Sequence, residues 1–121
     1  MMKNTLTDFE IGFYEGVIRQ SPNYRDALML LAEAYTRKGI FDKGLALDKR
    51  LAELCKNDPV VHYNLACSYA LMNKKDEAFK SLERAIELGY GDMVHLKKDS
   101  DLKNLHDDPR FATLIDKFLT S

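Results

Sequence analysis

Apolar residues recur along this chain at helical spacing. Phe9, Phe13 and Val17 lie four apart, with Ile11, Tyr14 and Ile18 on another side, so a helix is predicted over Phe9–Gln20 and is stopped by Ser21-Pro22-Asn23. Leu28, Leu31, Ala32 and Tyr35 share one face of the next predicted helix, and Ala27, Leu30 and Ala34 occupy another. A helix that is apolar on two faces needs two neighbours. A further helix from about Phe41 to Cys55 offers Leu45, Leu47, Leu51 and Leu54. No segment reads as a strand, so the expected fold class is all-α, with helices stacked in layers rather than laid on a sheet.

The chain repeats itself with a period of 34 residues: Leu31 returns as Leu65, Ala32 as Ala66, Tyr35 as Tyr69, Arg50 as Arg84, Glu53 as Glu87 and Leu54 as Leu88. The punctuation repeats too. Arg37-Lys38-Gly39 ends one helix with cations and then the residue best suited to a left-handed cap; one period later the position is Asn73, the next most tolerant residue there. Asp76 and Glu77 follow at a helix start, where carboxylates oppose the positive dipole end. Near the end, Asp108-Pro109 places a capping carboxylate before a first-turn proline. Phe111, Leu114, Ile115, Phe118 and Leu119 then form a one-sided stripe, which marks a closing helix from Pro109 to about Leu119. One or two short helical turns are expected between Asp92 and Leu105.

At 121 residues the chain has the length of one domain and can bury a core without metals or disulfides. With 45% hydrophobic and 31% charged residues, and only six Gly and three Pro, its composition is that of a globular protein. Lys plus Arg number 18 and Asp plus Glu 19, a formal charge of −1, so no cationic field draws in phosphate backbones and nucleic acid is not expected as a partner. The pairs Lys74-Lys75 and Lys97-Lys98 read as solvated surface. The N-terminus turns polar after Met1-Met2-Lys3, without a signal-like apolar stretch, and no spanning segment follows. Together with only two cysteines this points to the cytoplasm and away from membranes.

No residue pattern carries catalysis. His62, His95 and His106 lack partners at metal spacing, and Cys67 and Cys55 lack an activating signature and read as small apolar fillers. Asp99, Asp101, Asp107 and Asp108 are acidic, but the first two bracket a turn, Asp108 caps a helix, and no cation-loop pattern is present. Phosphate-cradling glycine loops and nucleophile elbows are absent from the sequence, so no enzyme, metal or cofactor is expected.

Leu28-x2-Leu31-Ala32-x2-Tyr35 and His62-x2-Leu65-Ala66-x2-Tyr69, with Ala78 and Ala85 in the helix that follows the second, resemble the tetratricopeptide repeat. In that reading residues 25–58 and 59–92 are full repeats and residues 7–24 a half repeat ending in Pro22. Residues 93–121 form a C-terminal cap, because Leu88-Gly89-Tyr90, Asp99-Ser100-Asp101-Leu102 and Asp107-Asp108-Pro109-Arg110-Phe111 are similar to the segment that often closes bacterial arrays. The chain departs from the pattern at Leu28 and His62, where an aromatic is usual, at Ala32 and Ala66 for Gly, at Gly44 for Ala, at Asp48 for a bulky apolar residue, and at Lys56 for Pro.

The resemblance implies a single domain spanning residues 1–121, a right-handed superhelical stack of antiparallel helix hairpins ending in a capping helix, and a role as an adaptor or scaffold for another protein or a peptide. It places Asp26, Met29, Glu33, Thr36 and Arg37 of one repeat, and Tyr63, Asn64, Cys67, Ala70 and Leu71 of the next, on a concave binding wall. A mostly apolar lining with Arg37 and Asn64 as polar fixers suits an extended or helical peptide. Self-association is the alternative: Phe9 and Phe13 on the first helix lack a covering hairpin partner, and a second copy would form a homodimer there unless residues 1–6, with Leu6, fold back over them.

Overall fold

A computed structural model describes the backbone of residues 2–119 and the side chains of residues 7–119. Among the described residues there is no strand. Eight α-helices follow in order among them: α1 Met2–Gln20, α2 Arg25–Lys38, α3 Phe41–Leu54, α4 Pro59–Leu71, α5 Lys75–Glu87, α6 Met93–Lys98, α7 Lys103–His106 and α8 Pro109–Leu119, with a 3₁₀ turn at Ser100–Leu102 between α6 and α7. The region after Asp92 thus holds three short elements rather than one or two. The chain forms two compact units, Met1–Lys56 and Asn57–Ser121.

In the first unit α1 packs on α2 and α2 on α3. The first helix starts at Met2, well before Phe9, so the backbone of residues 2–6 prolongs α1 instead of folding back; the side chain of Leu6 lies outside the described residues. The turn after α1 is held by Arg50 of α3, whose guanidinium donates to the Pro22 carbonyl and, at 3.3 Å, to Asn23 Oδ1. Leu28, Leu31 and Leu51 are the fully buried large residues here, each contributing about 1.5–3 kcal/mol of apolar burial. Leu30, expected on an apolar face, is 43% exposed. A close approach explains Gly44: a Cβ there would stand 3.1 Å from Thr36 Oγ1, so the glycine of α3 makes room for the threonine of α2.

In the second unit α4 and α5 form a hairpin, the 3₁₀ turn packs on α4, and α8 packs on α5 and α7. Asp58 caps α4 by accepting from the backbone N–H of Val60 at 2.9 Å and Val61 at 3.4 Å, and Pro59 occupies the first helical position, where no N–H is missed. Asp108-Pro109 begins α8 in the same way, with Asp108 Oδ1 accepting from Arg110 N at 2.9 Å. The Arg110 guanidinium returns to Asp108 at 2.9 Å and reaches Asp76 at the start of α5 at 2.6 Å. These contacts hold the Asp108 carboxyl down to about 2, the Arg110 side chain being the largest cause. The closing helix buries Phe111, Leu114 and Ile115, while Leu119 at its end is 60% exposed.

The two helix ends that the repeat relates share one geometry. Gly39 sits at φ 85° and Asn73 at φ 58°, both left-handed. Gly39 N donates to Thr36 O at 3.0 Å and Ile40 N to Tyr35 O at 2.9 Å; shifted by one period, Asn73 N donates to Ala70 O at 2.9 Å and Lys74 N to Tyr69 O at 2.9 Å. A side chain is strained in this conformation, and asparagine less than most. Gly39→Ala is therefore expected to lower unfolding free energy by about 1 kcal/mol, whereas Asn73→Gly should leave it unchanged or slightly raised. Urea unfolding followed by circular dichroism checks this, and a loss at Asn73→Gly as large as at Gly39→Ala would contradict it.

Candidate functional site

The inner face of α4 is covered by the segment that follows α5. Tyr63 is 4% exposed; its ring stacks on Tyr90 at 4.2 Å between centroids, and its hydroxyl donates to Asp99 Oδ2 at 2.6 Å. Cys67 points its thiol at the same oxygen from 3.8 Å, and His95 Nε2 lies 3.2 Å from it. The other oxygen of Asp99 accepts from Asp101 N at 3.0 Å and so caps the 3₁₀ turn. Further along, Asn104 Nδ2 donates to the Ala70 carbonyl at 2.8 Å and to Asn73 Oδ1 at 3.3 Å. Leu96, Leu102 and Leu105 of this strap have no solvent exposure and belong to the same apolar cluster as Tyr63, Ala66, Cys67 and Ala70.

Three residues expected on an open wall, Tyr63, Cys67 and Ala70, are therefore sealed under the chain's own strap. The physical reason is that this side of α4 is apolar, and Tyr63, Ala66, Cys67 and Ala70 share one buried cluster with α5 and with Leu96, Leu102 and Leu105 of the strap. Asn64 and Leu71 remain half-buried on the same helix. Burial, and next the bond to Asp99, pushes the Tyr63 hydroxyl far above its ordinary range; burial, then the charge of Asp99, does the same to the Cys67 thiol. A thiol held protonated is a poor nucleophile, in keeping with its filler role.

In the first unit the corresponding face of α2 is more open. Asp26 and Glu33 are exposed, Met29 and Thr36 half-buried, and Arg37 exposed. Asp26 is 3.3 Å from Arg25. The Thr36 hydroxyl turns inward to the Ala32 carbonyl at 3.0 Å. Arg37, expected to serve as a fixer for a guest, is already occupied: its guanidinium grips Glu10 of α1 at 3.2 and 3.1 Å and stands 4.0 Å from Glu33. Two more ties join the same helices, Lys38 to Asp8 at 2.6 Å and the Tyr35 hydroxyl to Glu15 at 2.5 Å. Burial first, then Glu15, pushes the Tyr35 hydroxyl up to about 12. Exposed pairs of this kind contribute only about 0–1 kcal/mol each, so they orient α1 more than they stabilise it. The outer side of α1 carries Phe9 at 72% and Phe13 at 57% exposure.

Among the described residues one set of side chains has metal-ligand chemistry: donor atoms of Cys67, Asp99 and Asp101 lie within 4.8 Å of one another. Their bonding argues for structure. Both Asp99 oxygens already accept from protein donors, and the Cys67 thiol is driven toward its protonated form. Asp101 is raised by burial first and by Asp99 second. His106, the third histidine, packs edge-on against Phe111 with centroids 4.8 Å apart.

The tetratricopeptide-repeat family model matches residues 59–92, the hairpin of α4 and α5 with its following turn. The chain contains a tetratricopeptide repeat. It is similar to a chloroplastic protein of Arabidopsis thaliana, with 34% identity over 59 residues that cover 49% of this chain and 18% of that protein. It is also similar to the peroxisomal targeting signal receptor of Pichia angusta, 26% identical over 125 residues, covering 91% of this chain and 22% of the receptor. Interferon-induced protein with tetratricopeptide repeats 2 of Mus musculus is 26% identical over 100 residues, covering 75% of this chain and 21% of its own length. The chain thus spans about a fifth of the length of these relatives. The repeat supports a role in protein–protein interaction.

The residues that sequence reading missed are the strap's own anchors, Asp99 and Asn104, and the acids of α1 that occupy α2. Among them only Asp99 carried a signal, as the residue before a turn. If the Tyr63–Asp99 bond fastens the strap, Tyr63→Phe and Asp99→Asn should show a coupling energy of about 1–2 kcal/mol in a double-mutant cycle by urea unfolding. Purely additive losses would show that the contact fastens nothing.

Proposed function

We propose that this chain is a non-catalytic adaptor or scaffold of the cytoplasm that binds a peptide or partner protein on the inner face of its repeats, at Asp26, Met29, Glu33, Thr36 and Arg37 of α2. The carrying observation is the contrast between two equivalent helix faces. On α4, Tyr63, Cys67 and Ala70 are buried under the strap, whereas on α2 the corresponding face keeps the Glu33 side chain 67% exposed. The repeat and the similar repeat proteins support protein binding, and one of those relatives is by name a targeting-signal receptor. No helix among the described residues is long and apolar enough to cross a membrane.

A direct test uses Met29→Ala with Glu33→Arg, two changes at the surface of α2. The expected result is at least about tenfold weaker capture of a partner taken from the native host lysate by the wild-type chain, with thermal stability retained. Equal capture by wild type and variant would remove α2 from the binding surface.

A second reading follows from a separate observation, the exposure of Phe9 and Phe13 on one stripe of α1. Exposed aromatics four residues apart make an apolar strip that a second copy can cover, giving a homodimer. Light scattering after size exclusion should then report a dimer that Phe13→Asp converts to monomer. A wild-type monomer at hundreds of micromolar would end that reading and leave the adaptor reading intact.

A further inference from the structure

The outer stripe of α1 holds two aromatics and two glycines. Phe9, Gly12, Phe13 and Gly16 fall within about 100° of arc on a helix of 3.6 residues per turn, and the two rings are 72% and 57% exposed. Glycine is the poorest helix former after proline, and the packing of α1 on its own chain gives no reason for either one. Among the described residues, a Cβ at Gly12 would meet nothing within 4 Å, and one at Gly16 only the end of the Arg19 side chain at 3.6 Å. Gly44 of α3 differs, because Thr36 stands against it. The stripe also lies outside the repeat pattern: one period on, its positions are Lys43, Ala46, Leu47 and Arg50, with neither a ring nor a glycine among them.

Two hollows thus lie beside two exposed rings, and their order is its own complement when reversed. Positions 9 and 16, like 12 and 13, are symmetric about the midpoint of the stripe. A second α1 laid antiparallel about that midpoint sets Phe9 against Gly16 and Phe13 against Gly12 of the other copy, at the same height and on the same flank, so that each ring enters a hollow. A parallel pair would stack Phe9 on Phe9, face glycine with glycine and hold the two Arg19 charges at one height. Area sets the strength of the antiparallel pair. An aromatic side chain buries about 150–250 Å², so four rings remove on the order of 500 Å² from water. The helix flanks bring the total to about 1,000 Å², the small end of specific interfaces, which makes the association reversible.

Resting on the self-association reading above, we infer that the outer face of α1 seats a second copy of this chain, its own α1 lying antiparallel and crossing between Gly12 and Phe13. Each copy supplies both the rings and the hollows that receive them.

The test compares sedimentation equilibrium of the full chain, in a series reaching hundreds of micromolar, with that of the double variant Gly12→Ala, Gly16→Ala. The alanines fill the hollows while favouring the helix, so the variant is expected to dissociate at least about tenfold more readily and, at low concentration, to melt no lower than wild type. In a mixture of isotopically labelled and unlabelled chains, filtered nuclear Overhauser spectra should join the Phe13 ring to the Gly12 α-protons, and the Phe9 ring to those of Gly16, across copies. Association unchanged by the two alanines, or contacts between Phe9 rings, would overturn the antiparallel seat and leave self-association through α1 standing. A wild-type monomer throughout the series would overturn both. A dimer that survives Phe13→Asp would move self-association to another face and overturn the inference as well.

Discussion

A helix with buried residues all round cannot be satisfied by one partner, and α4 is such a helix. Its buried residues, Val61, Tyr63, Leu65, Ala66, Cys67, Ser68 and Ala70, run around the whole circumference, so the hairpin with α5 cannot cover them all. The side that carries Tyr63, Ala66, Cys67 and Ala70 is closed by the strap, whose Leu96, Leu102 and Leu105 belong to the same cluster. The 3₁₀ turn packs on α4 in answer to that demand, while α8 packs on α5 and α7. Asp99 and Asn104 then supply direction, since apolar contact alone does not set register and a hydrogen bond of 2.6 Å to a single hydroxyl does.

The equivalent helix in the first unit meets the same constraint differently. On α2 the residues that would correspond to Tyr63 and Cys67 are Met29 and Glu33, so the face tolerates water and needs no strap. What apolar surface α2 has is divided between α1 and α3, and the ion pairs from Asp8 and Glu10 set the angle of α1 on the outer turns. Even the departure at Gly44 belongs to this local solution, because a Cβ there would crowd Thr36. One repeat pattern thus yields a closed face and an open one, and the side chains at these few positions decide which.

The periodic features were legible from residues alone because they are local. Gly39 and Asn73 encode the same left-handed end, Asp58-Pro59 and Asp108-Pro109 the same kind of start, and the identities 34 apart the same hairpin. The sealing of Tyr63 was not legible. Helical spacing tells which side of a helix a residue occupies, but not what covers that side, and Asp99 lies 36 residues away from the hydroxyl it accepts from. The Arg37–Glu10 pair was not legible for the same reason: Glu10 is 27 residues upstream and marks no motif. The longer start of α1 also escaped, because residues 2–6 carry little apolar periodicity of their own.

A segment lying over a binding-type face invites the idea of a lid, and magnitudes decide against it. Lifting the strap would expose Leu96, Leu102 and Leu105, each worth about 1.5–3 kcal/mol of burial, before any hydrogen bond is counted. A sum of about 5–9 kcal/mol is of the same order as the whole stability of a small domain, about 5–15 kcal/mol. Opening the strap is then close to unfolding the second unit, and a guest of micromolar affinity, about 8 kcal/mol, would spend nearly all its binding energy on the displacement. The closed face of α4 is a structural surface, whereas α2 keeps Glu33 and Asp26 exposed.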